Sequence, residues 1–293
     1  MGKAGGELDN LKITVLAEDS VLYESPYLGQ HGLSFLLEGR RGENTRRILV
    51  DVGQNSPALL SNMRMMNISP LAIDAIVLTH CHYDHTQGIA AMLKEIGKRE
   101  VAVFAHSDIF RRHFVIEPSL RHVGVVQSDS REEIEKAGGR LVLTKDNVEI
   151  MSGIMTTGEV KRQTEFEEVG MELKTIENGR VVDDQMLDDV SVIASVERKG
   201  LVIITGCSHA GIVNIVKQAI ELTGCDQIEG VVGGLHLVDA PDARIKRTVE
   251  ELSKLNPKWI CAGHCTGFRA QVELYLALGE RFSPLHTGMR FDI

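Results

Sequence analysis

Between Val77 and Gly88 the chain reads V-L-T-H-C-H-Y-D-H-T-Q-G, which puts His80, His82, Asp84 and His85 within six residues. Imidazole and carboxylate are the groups that hold borderline divalent cations such as zinc. A lone histidine is usually a packed or solvated side chain with no special duty. Four ligand-type residues spaced H-x-H-x-D-H, directly after an apolar run, reverse that expectation. Residues two apart on an extended segment point the same way, so His80 and His82 can share one cation. Asp84 and His85 follow where the chain turns toward a helical pattern and can face a second. The spacing predicts a metal site for one or two divalent ions, with zinc first and manganese, iron or magnesium as alternatives.

Two later segments end in the same way. Leu201–Thr205 runs into Gly206-Cys-Ser-His209-Ala-Gly211, and Lys258–Ala262 runs into Gly263-His264-Cys-Thr-Gly267. Each is an apolar strand pattern followed by a glycine-bearing turn that frees a histidine to face a crevice. His80, His82, Asp84, His85, His209 and His264 are therefore the expected ligands. Asp84 is also the expected catalytic residue, as holder of a nucleophilic water. Asp51, closing the run Arg47–Val50, is expected to orient a ligand histidine, since a carboxylate behind an imidazole fixes its tautomer and raises its basicity. His236 is expected behind the ligands or against substrate. Cys207 could be a soft ligand, but packing in its turn is the expected role. His106, His113, His122 and His286 read as ordinary histidines.

The motif and its surroundings resemble the metallo-β-lactamase superfamily. The resemblance covers residues 12 to 293: the strand ending at Asp51-Val-Gly53, the H-x-H-x-D-H stretch, Gly206–Gly211 and Gly263–Gly267 match in order. Thr157-Gly-Glu159, the string G-C-S-H-A-G-I, Gly233-Gly-Leu-His236-Leu and His264-Cys-Thr-Gly267 are similar to a narrower branch, the dihydropterin-ribofuranosylaminobenzene-phosphate synthases of methanopterin biosynthesis. That resemblance implies a small-molecule, phosphorylated substrate, with the metals gripping a diphosphate leaving group while an aromatic carbon attacks the pterin methylene. The wider family implies hydrolysis by metal-activated water as the alternative, and a non-catalytic metal-binding or sensor protein is the rival of another class. One position departs from the family. Its T-P-G-H-like turn corresponds here to Met155-Thr-Thr-Gly158-Glu159, with no histidine. Either Glu159 substitutes, or His209 supplies the missing bond, or only one metal binds tightly.

A serine-hydrolase reading of Gly206-Cys-Ser208-His-Ala210, with Asp239 and His264 following, is much weaker. A nucleophile elbow needs glycine where Ala210 stands, and the 80–85 cluster would go unexplained.

Composition bounds the rest. The 293 residues are 43% hydrophobic, enough for a sizeable core without disulfide staples. The five cysteines form no C-x-x-C pair, which suits reduced thiols and a cytoplasmic location. The net charge of −9, with few aromatics, argues against nucleic acid as the main partner, which needs a basic face. No apolar run is long enough for a membrane span, and Met1–Gly6 lacks the apolar core of a leader. A phosphorylated ligand stays compatible, because a bound dication reverses the local field.

Short alternating runs at Lys12–Leu16, Ser34–Leu37 and Arg47–Val52 predict antiparallel strands, followed by a helix at Pro57–Met66 and a buried strand at Ile73–Leu78. A helix at Gly88–Gly97 and a strand at Val101–Ala105 follow. The second half alternates again: strands at Val190–Val196, Leu201–Thr205, Gly230–Val232 and near Trp259, with helices at Ile212–Leu222, Ala243–Leu255 and Ala270–Leu278. The pattern supports mixed α and β. The resemblance sharpens this to a four-layer αββα sandwich in one domain, with the site where strand ends of both halves meet. The irregular, charged stretch at about 107–189 is expected to be a lid or substrate wall, where Lys161 or Arg162 could meet a phosphate.

Overall fold

The computed structural model describes residues 6–169 and 172–293, so the first residues read above for a leader lie largely outside it. Two seven-stranded sheets carry the architecture. In the first, strands Asn10–Ala17, Ser34–Arg41 and Asn44–Val50 form an antiparallel meander. Ala75–Val77, Val101–Ala105 and Gly139–Leu143 then continue the sheet in parallel. In the second, Gly200–Ile204, Ile228–Gly234, Trp259–Gly263 and Phe282–Pro284 run parallel, with antiparallel Val192–Val196 beside the first of them.

The alternation within the strands dictates the layers. Ile13, Val15, Phe35, Leu37, Ile48 and Val50 of the first sheet meet Val192, Val202, Ile204 and Val232 of the second in one apolar layer. Their sequence neighbours point the other way: Leu36, Leu49 and Ile76 pack under helices Ser56–Met65 and Ile89–Ile96. On the far side, Leu201, Ile203 and Val231 pack under helices Ile212–Thr223 and Asp242–Leu255. A period of two with both faces apolar leaves each sheet covered on both sides, which is the αββα sandwich. Each of these buried aliphatic side chains contributes roughly 1.5–3 kcal/mol. A one-residue slip would exchange the two faces of a strand, so the pattern also sets register.

Helix ends follow local chemistry. Asn55 Oδ1 accepts from Ala58 N at 3.1 Å at the start of Ser56–Met65, whose Pro57 lacks the N–H that would otherwise go unpaired there. Asp242–Leu255 stops at Asn256 in the left-handed conformation.

The stretch 107–189 differs from the expected single insertion. Gly139–Leu143 belongs to the first sheet, and Glu149–Met151 and Ile154–Thr156 belong to the second. Only His113–Val115, Arg121–His122, Leu173–Glu177 and Arg180–Asp183 stand apart, as a small four-stranded sheet over the strand ends. Its own apolar cluster, Val115, Val123, Leu173 and Met186, is too small to show as a periodic signal in the sequence.

Candidate metal centre

The two clusters gather at the carboxyl ends of strands. Asp51 follows Asn44–Val50, Thr79 and His80 follow Ala75–Val77, and Cys207, His236 and His264 follow three adjacent parallel strands of the other sheet. Open parallel sheets place their crevices at such ends. Asp51, Ser208, His236 and His264 all adopt positive φ there, at 56°, 62°, 46° and 50°. Such strain, on the order of 1–2 kcal/mol per residue, persists only where the surrounding structure enforces it. Gly206 lets the two sheets close up, because a Cβ there would collide with Thr79 Oγ1.

The histidine segment leaves its strand and makes one helical turn, Tyr83–Thr86, with His82 O accepting from His85 N at 3.0 Å. This folds the side chains into two groups. In the first, His80 Nε2 and His209 Nε2 lie 3.0 and 3.2 Å from His82 Nδ1. In the second, Asp84 Oδ2 lies 3.4 Å from His85 Nε2 and 3.2 Å from His264 Nε2, and those two nitrogens are 3.4 Å apart. Cys207 Sγ stands between the groups, 3.2 Å from His85 Nε2, and clusters with His80 and His209 on one side and with His85 and His264 on the other.

Proton bookkeeping shows what these groups lack. Thr79 Oγ1 donates to Asp51 Oδ2 at 2.7 Å, so it accepts from His80 Nδ1 at 3.0 Å. His85 Nδ1 donates to the same Asp51 oxygen at 2.7 Å, and His264 Nδ1 donates to Asp19 Oδ1 at 2.9 Å. In the first group the inward nitrogens crowd to 3.0–3.2 Å, and that separation, like the 3.4 Å between His85 Nε2 and His264 Nε2, matches the edge, about 3.3 Å, of a tetrahedron of ligands 2.0–2.1 Å from a zinc ion. The donor set fits divalent cations.

Electrostatics separates the groups. Burial pushes His80, His82 and His209 well below the usual histidine range, so they stay neutral, as ligands must be. Burial also opposes charge on His85, but the Asp84 and Asp51 carboxylates outweigh it and raise its pKa to about 9. His264 is likewise raised against its burial, by Cys265, Asp19 and Asp84. Burial would raise Asp84, yet the His85 and His264 imidazoles hold it well below the carboxylate range.

A pocket of about 300 Å³ opens over both groups. Tyr83, Val115, Val123, Leu173 and Val238 make its apolar walls, and Arg121 stands exposed at its rim.

A family model described as a beta-lactamase superfamily domain matches residues 46–174. A 7,8-dihydropterin-6-methyl-4-(beta-D-ribofuranosyl)-aminobenzene-5'-phosphate synthase of Methanocaldococcus jannaschii is 44% identical over 289 residues, spanning 97% of each chain. The chain belongs to the metallo-β-lactamase superfamily. An uncharacterised protein of the same organism is 36% identical over 87% of this chain and 91% of its own. Among solved structures, a metal-dependent hydrolase of the beta-lactamase superfamily superposes with a TM-score of 0.80 at 24% identity, covering 97% of this chain and 99% of that one. That likeness bears on the fold, and it matches the four layers described above.

Within this superfamily frame, several expected residues fall elsewhere. Glu159 turns away to His106 Nε2, at 3.3 Å, and Lys145 Nζ, at 3.6 Å, whereas His209 stands beside His80 and His82. The strand Ile154–Thr156 hydrogen-bonds across to Val192–Val196, which carries the following turn toward His106. Arg162 is spent on backbone carbonyls: its guanidinium donates to His209 O at 2.6 Å and Gln185 O at 2.7 Å, so it braces the His209 turn rather than reaching for a phosphate. His236 packs against His209, with ring centroids 3.9 Å apart and the planes inclined at 45°, and lines the pocket. Cys207, expected as turn packing, faces His85. Three further residues were invisible to sequence reasoning. Asp19 holds His264, His31 Nε2 reaches Asp84 Oδ2 at 3.5 Å, and His113 Nε2 lies 2.8 Å from His82 Nε2. None has a motif; each arrives from a distant segment. Among the described residues, no helix is long and apolar enough to cross a membrane.

Proposed function

We propose that this protein is a metal-dependent transferase of the methanopterin pathway, joining a dihydropterin methyl carbon to a ribofuranosylaminobenzene phosphate. The observation that carries the reading is the near-full-length identity of 44% with the M. jannaschii synthase. The site supports it chemically. His80, His82 and His209 would hold one divalent cation and Asp84, His85 and His264 a second, and the Cys207 sulfur lies within reach of both groups. Zinc suits this nitrogen, sulfur and carboxylate set best. The bound cations supply Lewis-acid charge that steadies oxygen atoms gaining negative charge as a bond breaks.

The remaining work belongs to the chain. Asp51, Thr79 and Asp19 keep the imidazole N–H groups pointed outward. Val115, Val123, Leu173 and Val238 offer apolar faces for a flat ring and exclude water. Arg121 at the rim offers a fixed positive charge to a phosphate. The unpaired cysteines Cys81, Cys207 and Cys265 suit the reducing cytoplasm.

The test is direct. Zinc-loaded protein is mixed with a dihydropterin-methyl diphosphate and the ribofuranosylaminobenzene phosphate, and products are separated by mass. Coupled product with release of diphosphate supports the reading. Cleavage of the pterin diphosphate without coupling assigns the site to metal-dependent hydrolysis instead.

A further inference from the structure

His113 was an ordinary histidine by sequence, yet it is fully buried and both its ring nitrogens are engaged. Its Nε2 lies 2.8 Å from His82 Nε2, and its Nδ1 lies 2.7 Å from Asp184 Oδ2. Asp184 is gripped by Arg111, whose Nε and Nη2 donate to the two carboxylate oxygens at 2.6 and 3.0 Å. The same guanidinium pairs with Asp188 at 2.8 Å, and Asp188 in turn accepts from Cys81 N, inside the H-x-H segment, at 2.8 Å.

The contact between His82 and His113 is a hydrogen bond, and its direction can be assigned. Two facing nitrogens at 2.8 Å need one proton between them. Arg111 and the His113 imidazole hold the Asp184 carboxyl far below the usual carboxylate range despite its burial, so it is an ionised acceptor. It therefore takes the proton of His113 Nδ1, and a neutral His113 then presents a lone pair at Nε2. That lone pair can only accept from His82 Nε2–H. His82 Nδ1 is then the unprotonated nitrogen, and it is the one turned toward His80 and His209.

We propose that His113 and Asp184 form a positioning relay that locks His82 in the tautomer able to bind a cation through Nδ1. The inference rests on the metal-centre reading above and adds residues that no motif supplies. It also gives the small sheet a second task. Its strand His113–Val115 carries the relay, and Arg180–Asp183 delivers Asp184 to it, so the element that walls the pocket also orients a ligand of the first cluster. Asp51, Thr79 and Asp19 serve His85, His80 and His264 as outer partners. His82 uses a second imidazole because it must present Nδ1 rather than Nε2.

The experiment titrates metal into chelator-stripped wild type, His113→Phe, His113→Gln and Asp184→Asn. Zinc competition gives the affinities, and cobalt(II) absorption reports the two sites separately. Wild type should load two ions; if it loads none, the metal-centre reading fails and the relay is not at issue. Given two ions, His113→Phe should weaken the His80–His82–His209 site by about 10–100-fold, the usual effect of losing an outer partner, and shift its cobalt bands. The Asp84–His85–His264 site should stay within about twofold. His113→Gln, whose amide oxygen can accept from His82 Nε2–H, should recover most of the loss. Nitrogen NMR of the zinc form should place a proton on His82 Nε2. Unchanged affinity at both sites in His113→Phe, or a proton on His82 Nδ1, overturns the proposal. Should His113→Phe fail to fold, Asp184→Asn decides: weakening of the first site alone supports the relay, and unchanged or uniform affinity overturns it.

Discussion

The two halves of the site, three histidines on one side and two histidines with an aspartate on the other, behave differently. His80, His82 and His209 are neutral because burial disfavours their charge, and two of them hand their outer protons to a hydroxyl or another imidazole. Asp84, His85 and His264 form a charged set, in which carboxylates hold protons on buried imidazoles. A cation would enter the first half without displacing an imidazole proton, and the second only by displacing one. The lesson is that ligand identity alone does not set metal affinity; what stands behind each imidazole does.

The contrast can be broken most severely by removing ligands. His82→Ala should empty the neutral half and Asp84→Ala the charged half. Each should reduce metal from two ions to one per chain and cut turnover by roughly 10³-fold, as expected for several kcal/mol of lost charge stabilisation. Circular dichroism should show the fold intact. Full activity in both variants contradicts the site.

Asp51→Asn should come next, because one carboxylate serves both halves, through Thr79 to His80 and directly to His85. Both sites should weaken by about 10–100-fold in chelator competition. An effect confined to one site would show that the Thr79 link is idle.

Stripping the metals should lower thermal stability. A ligand at 100 times its dissociation constant contributes about 2.7 kcal/mol, and calorimetry with and without chelator reads the difference. An unchanged melting temperature would mean that neither cluster binds.

The smallest and most discriminating effect is on pH. His85 has its pKa raised to about 9, so below that pH a proton occupies the nitrogen a cation needs, and apparent affinity of the charged half falls as pH falls. The neutral half, with its histidines held below their ordinary value, should show no such slope near pH 7. Calorimetric titration in buffers of different ionisation enthalpy should show more protons released at the charged site than at the neutral one. Equal release at both would erase the distinction.

The legibility of this protein in its sequence follows the range of the interactions. Strand patterns such as Phe35–Leu37 and Leu201–Ile204 were legible because they are local, but they announced only mixed α and β; the double covering of the sheets came from the resemblance. The H-x-H-x-D-H cluster was legible for the same reason. Ile73–Leu78 was overdrawn, and its regular strand is only Ala75–Val77, because Ile73 closes the short helical turn Pro70–Ala72 that precedes it. His113 and Asp184 were unreadable because they lie 31 and 102 positions from His82, on a small sheet whose strands are two to five residues long. Glu159 pointed elsewhere than its motif position implied, because the strand before it fixes the following turn against His106 and Lys145. The position of Cys207 between two imidazole clusters was unreadable, because those clusters come together from segments distant in the chain.

The central claim is that these clusters hold divalent cations, and metal content tests it most directly. Protein purified without chelator, analysed by inductively coupled plasma mass spectrometry against an accurate protein concentration, should carry two transition-metal ions per chain, chiefly zinc. Material that carries none, and takes up none when titrated, contradicts the account.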